Sequence, residues 1–111
     1  MAQGDQFLNA SLEEKRQFIR RKAAELGCRV TSANRPGDND SFHGQNRAID
    51  VAGSGAAMTN FYRAFVPLAR NRKGVRELFY DPEGGWDNFV EIGPIGGHGD
   101  HVHIAFDPPP R

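Results

Sequence analysis

Two short segments, far apart in the chain, carry the same pattern and between them constrain the fold most. Apolar and polar residues alternate in Ala48-Ile49-Asp50-Val51 and again in His101-Val102-His103-Ile104-Ala105-Phe106. A period of two is that of a β-strand, whose successive side chains point to opposite faces. Ile49 and Val51 therefore share one face of their strand, and Val102, Ile104 and Phe106 share one face of theirs. Asp50, His101 and His103 project the other way. A sheet that packs its apolar face on helices presents all three from its open face. His43, in the loop leading into the first strand, can swing over to join them.

The rest of the chain supplies elements to cover such a sheet. Residues 1–10 read as a loose lead-in. Ser11-Leu12-Glu13-Glu14 reads as a capping box, in which Ser11 caps the Glu14 amide and Glu14 reaches back. Leu12, Phe18, Ile19, Ala23 and Leu26 form a stripe of helical period that stops at Gly27, which predicts a helix over residues 11–26. Its Lys15-Arg16 and Arg20-Arg21-Lys22 charges read as a solvated face. Strands are expected over residues 28–33, 47–51 and 75–80, with a polar loop punctuated by Pro36-Gly37 over residues 34–42. A second helix is expected over residues 54–71, with Phe61, Phe65 and Leu68 on one face and Pro67 as a kink or break. A Gly-rich loop surrounds Trp86. The mixture, without repeats and with too few helices to cover both faces of a parallel sheet, predicts an α+β fold. Its sheet should be small and mainly antiparallel, with helices on one face and a metal site on the open one.

Bulk properties narrow the function classes. A chain of 111 residues is expected to form a single domain, 1–111. Its 14 basic and 14 acidic residues cancel, so net charge offers no reason to bind nucleic acid or an anionic membrane. The one cysteine, Cys28, excludes an internal disulfide and a cysteine-based zinc site, and reads as a small buried hydrophobe. No stretch approaches the ~20 apolar residues of a membrane span, and no signal-peptide core opens the chain. Either the protein acts where it is made, another device exports it, or it is a domain of a longer chain. A monomer is expected.

Two neutral imidazoles and one carboxylate with an open fourth position are what a catalytic zinc ion requires, whereas a structural zinc fills all four positions and usually uses cysteine. His43, Asp50, His101 and His103 therefore read as candidate donors for one Zn2+ per chain.

The pattern Ser-x-His-x-x-x-x-Ala-x-Asp, here Ser41 to Asp50, followed far downstream by His-x-His on a strand, resembles the LAS metallopeptidases (the lysostaphin, D-alanyl-D-alanine metallopeptidase and hedgehog-like group). The resemblance is greatest to compact phage and bacterial peptidoglycan peptidases, and it runs from about Val30 to Phe106. It implies that His43, Asp50 and His103 bind zinc, and that His101 serves as general base or transition-state stabiliser. It also implies that Arg35 polarises the scissile carbonyl or holds a substrate carboxylate, and that Ser41 orients a metal ligand. The implied activity is hydrolysis of an amide bond in the peptide part of peptidoglycan, as an endopeptidase. The His-x-His form is nearer to that branch than to the D,D-carboxypeptidase branch, whose Glu-x-x-His is absent. Where the family has a glycine between the histidine and the alanine, this chain has Asn46.

His98, in a Gly-rich turn, and Trp86 are candidates to line a substrate cleft; Tyr80, Asp81 and Glu83 read equally well as ordinary packing or surface residues. Glu77 reads as solvent-facing. A cupin, which also uses His-x-His, needs strands beyond the few residues that follow His103. A non-haem iron oxygenase pairs its first His and Asp two residues apart, not seven. A non-catalytic metal-stabilised binding or phage virion module with the same fold is the alternative from a different class.

Overall fold

The computed structural model describes residues 3–32 and 47–110. Ser41, His43 and Arg35 lie outside the described residues, as does the loop expected over residues 34–42. Among the described residues three helices, α1 (Gln3–Asn9), α2 (Leu12–Glu25) and α3 (Gly55–Arg70), accompany six strands. The strands are β1 (Arg29–Ser32), β2 (Ala48–Ala52), β3 (Val75–Tyr80), β4 (Gly84–Asp87), β5 (Val90–Glu91) and β6 (Val102–Phe106). They form one sheet of order β1-β2-β6-β3-β4-β5, and every neighbouring pair is antiparallel. The fold is α+β.

Helices α2 and α3 begin where their sequence says they should. Ser11 accepts the Glu14 amide at 3.1 Å, and the Glu14 carboxylate accepts the Ser11 amide at 3.0 Å, completing the capping box. Gly27 takes a φ of 85°, the left-handed value that ends α2. Ser54 caps α3 through the Ala57 amide at 3.1 Å. Pro67 does not end α3, which runs on to Arg70. Its missing amide falls in the last turn, and the helix keeps its apolar face of Phe61, Phe65 and Leu68 against the sheet.

Three expectations need correction. The lead-in is a helix: α1 folds back so that Phe7, 3% exposed, packs its ring on Phe18 and Phe65 at 5.6 and 6.2 Å. Lys15 is not on a solvated face. It is fully buried, and its ammonium donates to the carbonyls of Leu8 and Asp107. Burial pushes that ammonium below its ordinary pKa, with the Asp107 carboxylate opposing the shift. The Gly-rich stretch around Trp86 is a hairpin, β4 and β5, rather than a loop. Gly85 lets it close, because a Cβ there would stand 2.6 Å from the Gly93 carbonyl oxygen.

The core fills the space between α2, α3 and one face of the sheet. Ile49, Val51, Leu78, Val102, Ile104 and Phe106 are fully buried there, as the alternation required. Cys28 belongs to the same core, and burial raises its thiol pKa. Val75 and Leu78 both face this core although they are three residues apart, an odd spacing that a regular strand sends to opposite faces. A bulge between Val75 and Glu77 resolves the conflict. The bulge leaves Glu77 and Phe79 together on the open face.

Candidate metal centre

The open face gathers side chains from the three adjacent strands β2, β6 and β3. Register sets Asp50 opposite His103 on one side of β6, and Phe79 opposite His103 on the other. His103 is thus held from three directions. Its Nδ1 lies 3.1 Å from Asp50 Oδ1, its Nε2 lies 2.9 Å from Glu77 Oε1, and its ring stacks on Phe79 at 5.4 Å with the planes 13° apart. Both partners of the first contact are secluded, the side chains being 12% and 8% exposed.

Burial by itself would lower the imidazole pKa, but hydrogen bonds and charge from Asp50 and Glu77 outweigh it and hold His103 above its ordinary 6.5. A group raised in this way stabilises the fold fully below about pH 6.5, the unfolded value, and the contribution is lost as pH rises through the folded value. An NMR titration of the metal-free protein should therefore place the His103 midpoint above 6.5, and Glu77→Gln should bring it down. A wild-type midpoint below 6.5 would mean that the carboxylates do not act on this ring.

His98 and His101 close the site at one end. Asp81, at the end of β3, receives the amides of Gly96 and His98 at 3.1 and 2.9 Å, pinning the turn that carries His98. The His98 amide is the largest reason that the Asp81 carboxyl sits below its ordinary pKa. The His98 ring lies 4.9 Å from that of His101, 5.8 Å from that of His103 and 5.3 Å from that of Phe79. His98 Nδ1 sits 2.9 Å from the Gly96 carbonyl, and His101 Nδ1 sits 2.8 Å from Asp100 Oδ1. A carbonyl oxygen can only accept, so Nδ1 of His98 carries the hydrogen. The Asp100 carboxylate, held below its ordinary pKa chiefly by His101, imposes the same tautomer on His101. In the neutral form both rings then keep an Nε2 lone pair for a proton or a metal.

The fit of a zinc ion can be tested on the Asp50–His103 pair. Two donors about 2.0–2.1 Å from a tetrahedral ion stand about 3.3 Å apart, and the observed Oδ1···Nδ1 separation is 3.1 Å. The Nε2 hydrogen on Glu77 matches the usual support of a metal-bound histidine, whose second nitrogen donates to a carboxylate. The two donors and their support fit. Among the described residues no group of three or more His, Cys, Asp or Glu side chains is arranged to hold a metal, and the third expected ligand, His43, lies outside them.

Comparison with protein-family models, with curated proteins and with solved structures returns no match. The residues alone carry the functional reading.

The structure brings together Asp50, His103, His101 and His98, and leaves Trp86 elsewhere. Trp86 pairs with Leu78 across β4 and β3 and faces the helices, with the Arg70 guanidinium 5.7 Å from its ring. Tyr80 is in the same core, and Glu83 pairs with Arg63 at 2.7 Å. The aromatic surface beside His103 belongs to Phe79. Glu77 and Phe79 were both missed in the sequence. The available signal was the odd spacing of two core residues, Val75 and Leu78, which demands a bulge and so moves Glu77 beside the histidine.

Proposed function

We propose that this chain is a zinc-dependent peptidase acting on the peptide part of peptidoglycan, with endopeptidase cleavage as its main activity. The observation that carries the reading is the Asp50–His103 pair, set at metal-ligand separation and backed by Glu77. Asp50 Oδ1 and His103 Nδ1 would be two of the ligands, and the resemblance to LAS peptidases supplies His43 as the third. A zinc ion held there would supply a water of pKa near ~7 and a Lewis acid for the substrate carbonyl. His101 offers its Nε2 lone pair to take the proton from the attacking water, and Asp100 keeps the ring in that tautomer. The protonated ring can then return the proton to the leaving amine. Arg35, by the same resemblance, supplies a permanent positive charge to the oxyanion as the carbonyl is attacked. Phe79 and Asp50 exclude water from two sides of His103.

Glu77 supports this centre by fixing which nitrogen of His103 is free to bind. Glu77→Gln should weaken zinc binding by about 10–100-fold, the usual effect of losing such a partner, with the fold intact by circular dichroism. Unchanged affinity would remove Glu77 from the site, and outright loss of metal would make it a ligand.

Digestion of purified peptidoglycan, with and without chelator and with product termini identified by mass spectrometry, tests the activity itself. Chelator-sensitive release of stem or cross-link fragments is expected. Release of free D-alanine alone would identify a carboxypeptidase, and no cleavage by folded, zinc-loaded protein would leave a binding or virion module.

A further inference from the structure

The far end of β6 holds a second concentration of charge. Asp107, just past the strand, takes Arg47 on one oxygen and Arg76 on both, with Arg47 Nη2 2.5 Å from Oδ1, Arg76 Nη2 3.0 Å from Oδ2 and Arg76 Nε 3.2 Å from each. Arg76 is the residue extruded by the β3 bulge, and it also leans on Phe89, its guanidinium 4.5 Å from the ring centroid. The Arg72 guanidinium lies 5.1 Å from the centroid of the same ring. The buried ammonium of Lys15 adds a further positive charge beside the Asp107 carbonyl. In a chain of zero net charge, two guanidiniums thus flank one carboxylate, a third shares the Phe89 ring with one of them, and a buried ammonium sits behind. Arg47, Arg72 and Arg76 line a pocket of about 430 Å³ together with Asp107 and Phe89, and its apolar wall is completed by Leu8, Pro108 and Pro110.

The backbone around this pocket is held in an uncommon shape. Arg72 and Phe89 have φ of 56° and 70°, left-handed values that are unfavourable for a bulky side chain such as phenylalanine. Such conformations persist where surrounding structure imposes them, and they gather at ligand clamps. Here they place two like-charged guanidiniums against one ring, and Arg72 has no ion pair among the described residues.

We propose that this pocket binds an oxyanion, a carboxylate or phosphate group attached to a small apolar body. Arg72 grips the anion, and Asp107 holds Arg47 and Arg76 as a preset positive wall. A guanidinium presents paired N–H donors in a planar fork that matches both anions. Asp107 lies four residues beyond His103, about 13 Å along a strand, so the pocket is distinct from the candidate metal centre. It stands or falls independently of the peptidase reading.

The test is a 1H–15N NMR titration of the protein with sodium phosphate and, separately, sodium acetate, against sodium chloride at matched ionic strength. Saturable shifts should appear at the amides of Arg72, Gly74, Phe89 and Asp107, with a dissociation constant on the order of 1 mM. Arg72 is exposed in a turn, so Arg72→Gln should fold, and it should weaken binding by about tenfold or more. Tighter phosphate would point to a phosphoryl-bearing ligand, and acetate binding at least as tightly would point to a carboxylate. Shifts that never saturate, shifts centred on the histidines, or equal affinity in Arg72→Gln would overturn the proposal.

Discussion

Replacing His103 with alanine should yield protein that no longer retains zinc, whereas the wild type should carry about one equivalent, removable by chelator. Structural zinc sites bind with about 10–16 kcal/mol spread over four ligands, or about 3 kcal/mol each, so one lost ligand should cost affinity at least about a hundredfold. His103 is the most constrained donor of the set, with one nitrogen on Asp50, the other on Glu77, and its ring on Phe79. Its removal also leaves two carboxylates without the imidazole between them, so His103→Ala is expected to lose stability as well as metal. Asp50→Asn separates the two effects. It nearly preserves volume and can still hydrogen-bond His103, yet it takes a formal charge from the metal and should lose zinc with a smaller fall in melting temperature. Elemental analysis of reconstituted proteins is the measurement. A wild type free of zinc, or a His103→Ala variant that keeps it, would end the metal reading.

His101→Ala should do the opposite, retaining zinc while turnover falls by roughly 10²–10⁴-fold, the range for a lost general base. His101 stands just before β6 rather than on it, and its only polar contact among the described residues is with Asp100, whose side chain is 94% exposed. Nothing in that environment secludes a metal ligand as Asp50 and Phe79 seclude His103. The decisive comparison is zinc content alongside the rate of peptidoglycan digestion, measured on both histidine variants. If His101→Ala strips the metal and His103→Ala does not, the roles of the pair are reversed.

Much of this arrangement could be read from local sequence. The Ser11 capping box, the stop at Gly27, the Ser54 cap and the alternation in β2 and β6 are each settled within a few residues. So was the opposition of Asp50 and His103 to the apolar side chains, because a period of two leaves no other choice once one face is buried. The errors arose where a residue's surroundings come from remote parts of the chain. Residues 1–10 have little helical signal, and α1 forms around Phe7 because Phe18 and Phe65 offer a place for its ring. Lys15 sits in a run of charges, yet it is buried because the Leu8 and Asp107 carbonyls, at the other ends of loops, converge on its ammonium.

By itself, then, the sequence determined the α+β class, helices α2 and α3, and the faces of β2 and β6. These are short-range consequences of periodicity and capping. Only the tertiary structure decided that the last strand inserts between β2 and β3. That insertion puts residue 103 beside residues 50 and 77, and neither strand order nor register is encoded in any one segment's alternation. It also decided that Glu77, through a bulge forced by the burial of Val75 and Leu78, meets His103 instead of water. Trp86 went to the helix side for the same kind of reason: pairing with Leu78 assigns it that face, whatever its suitability for a groove.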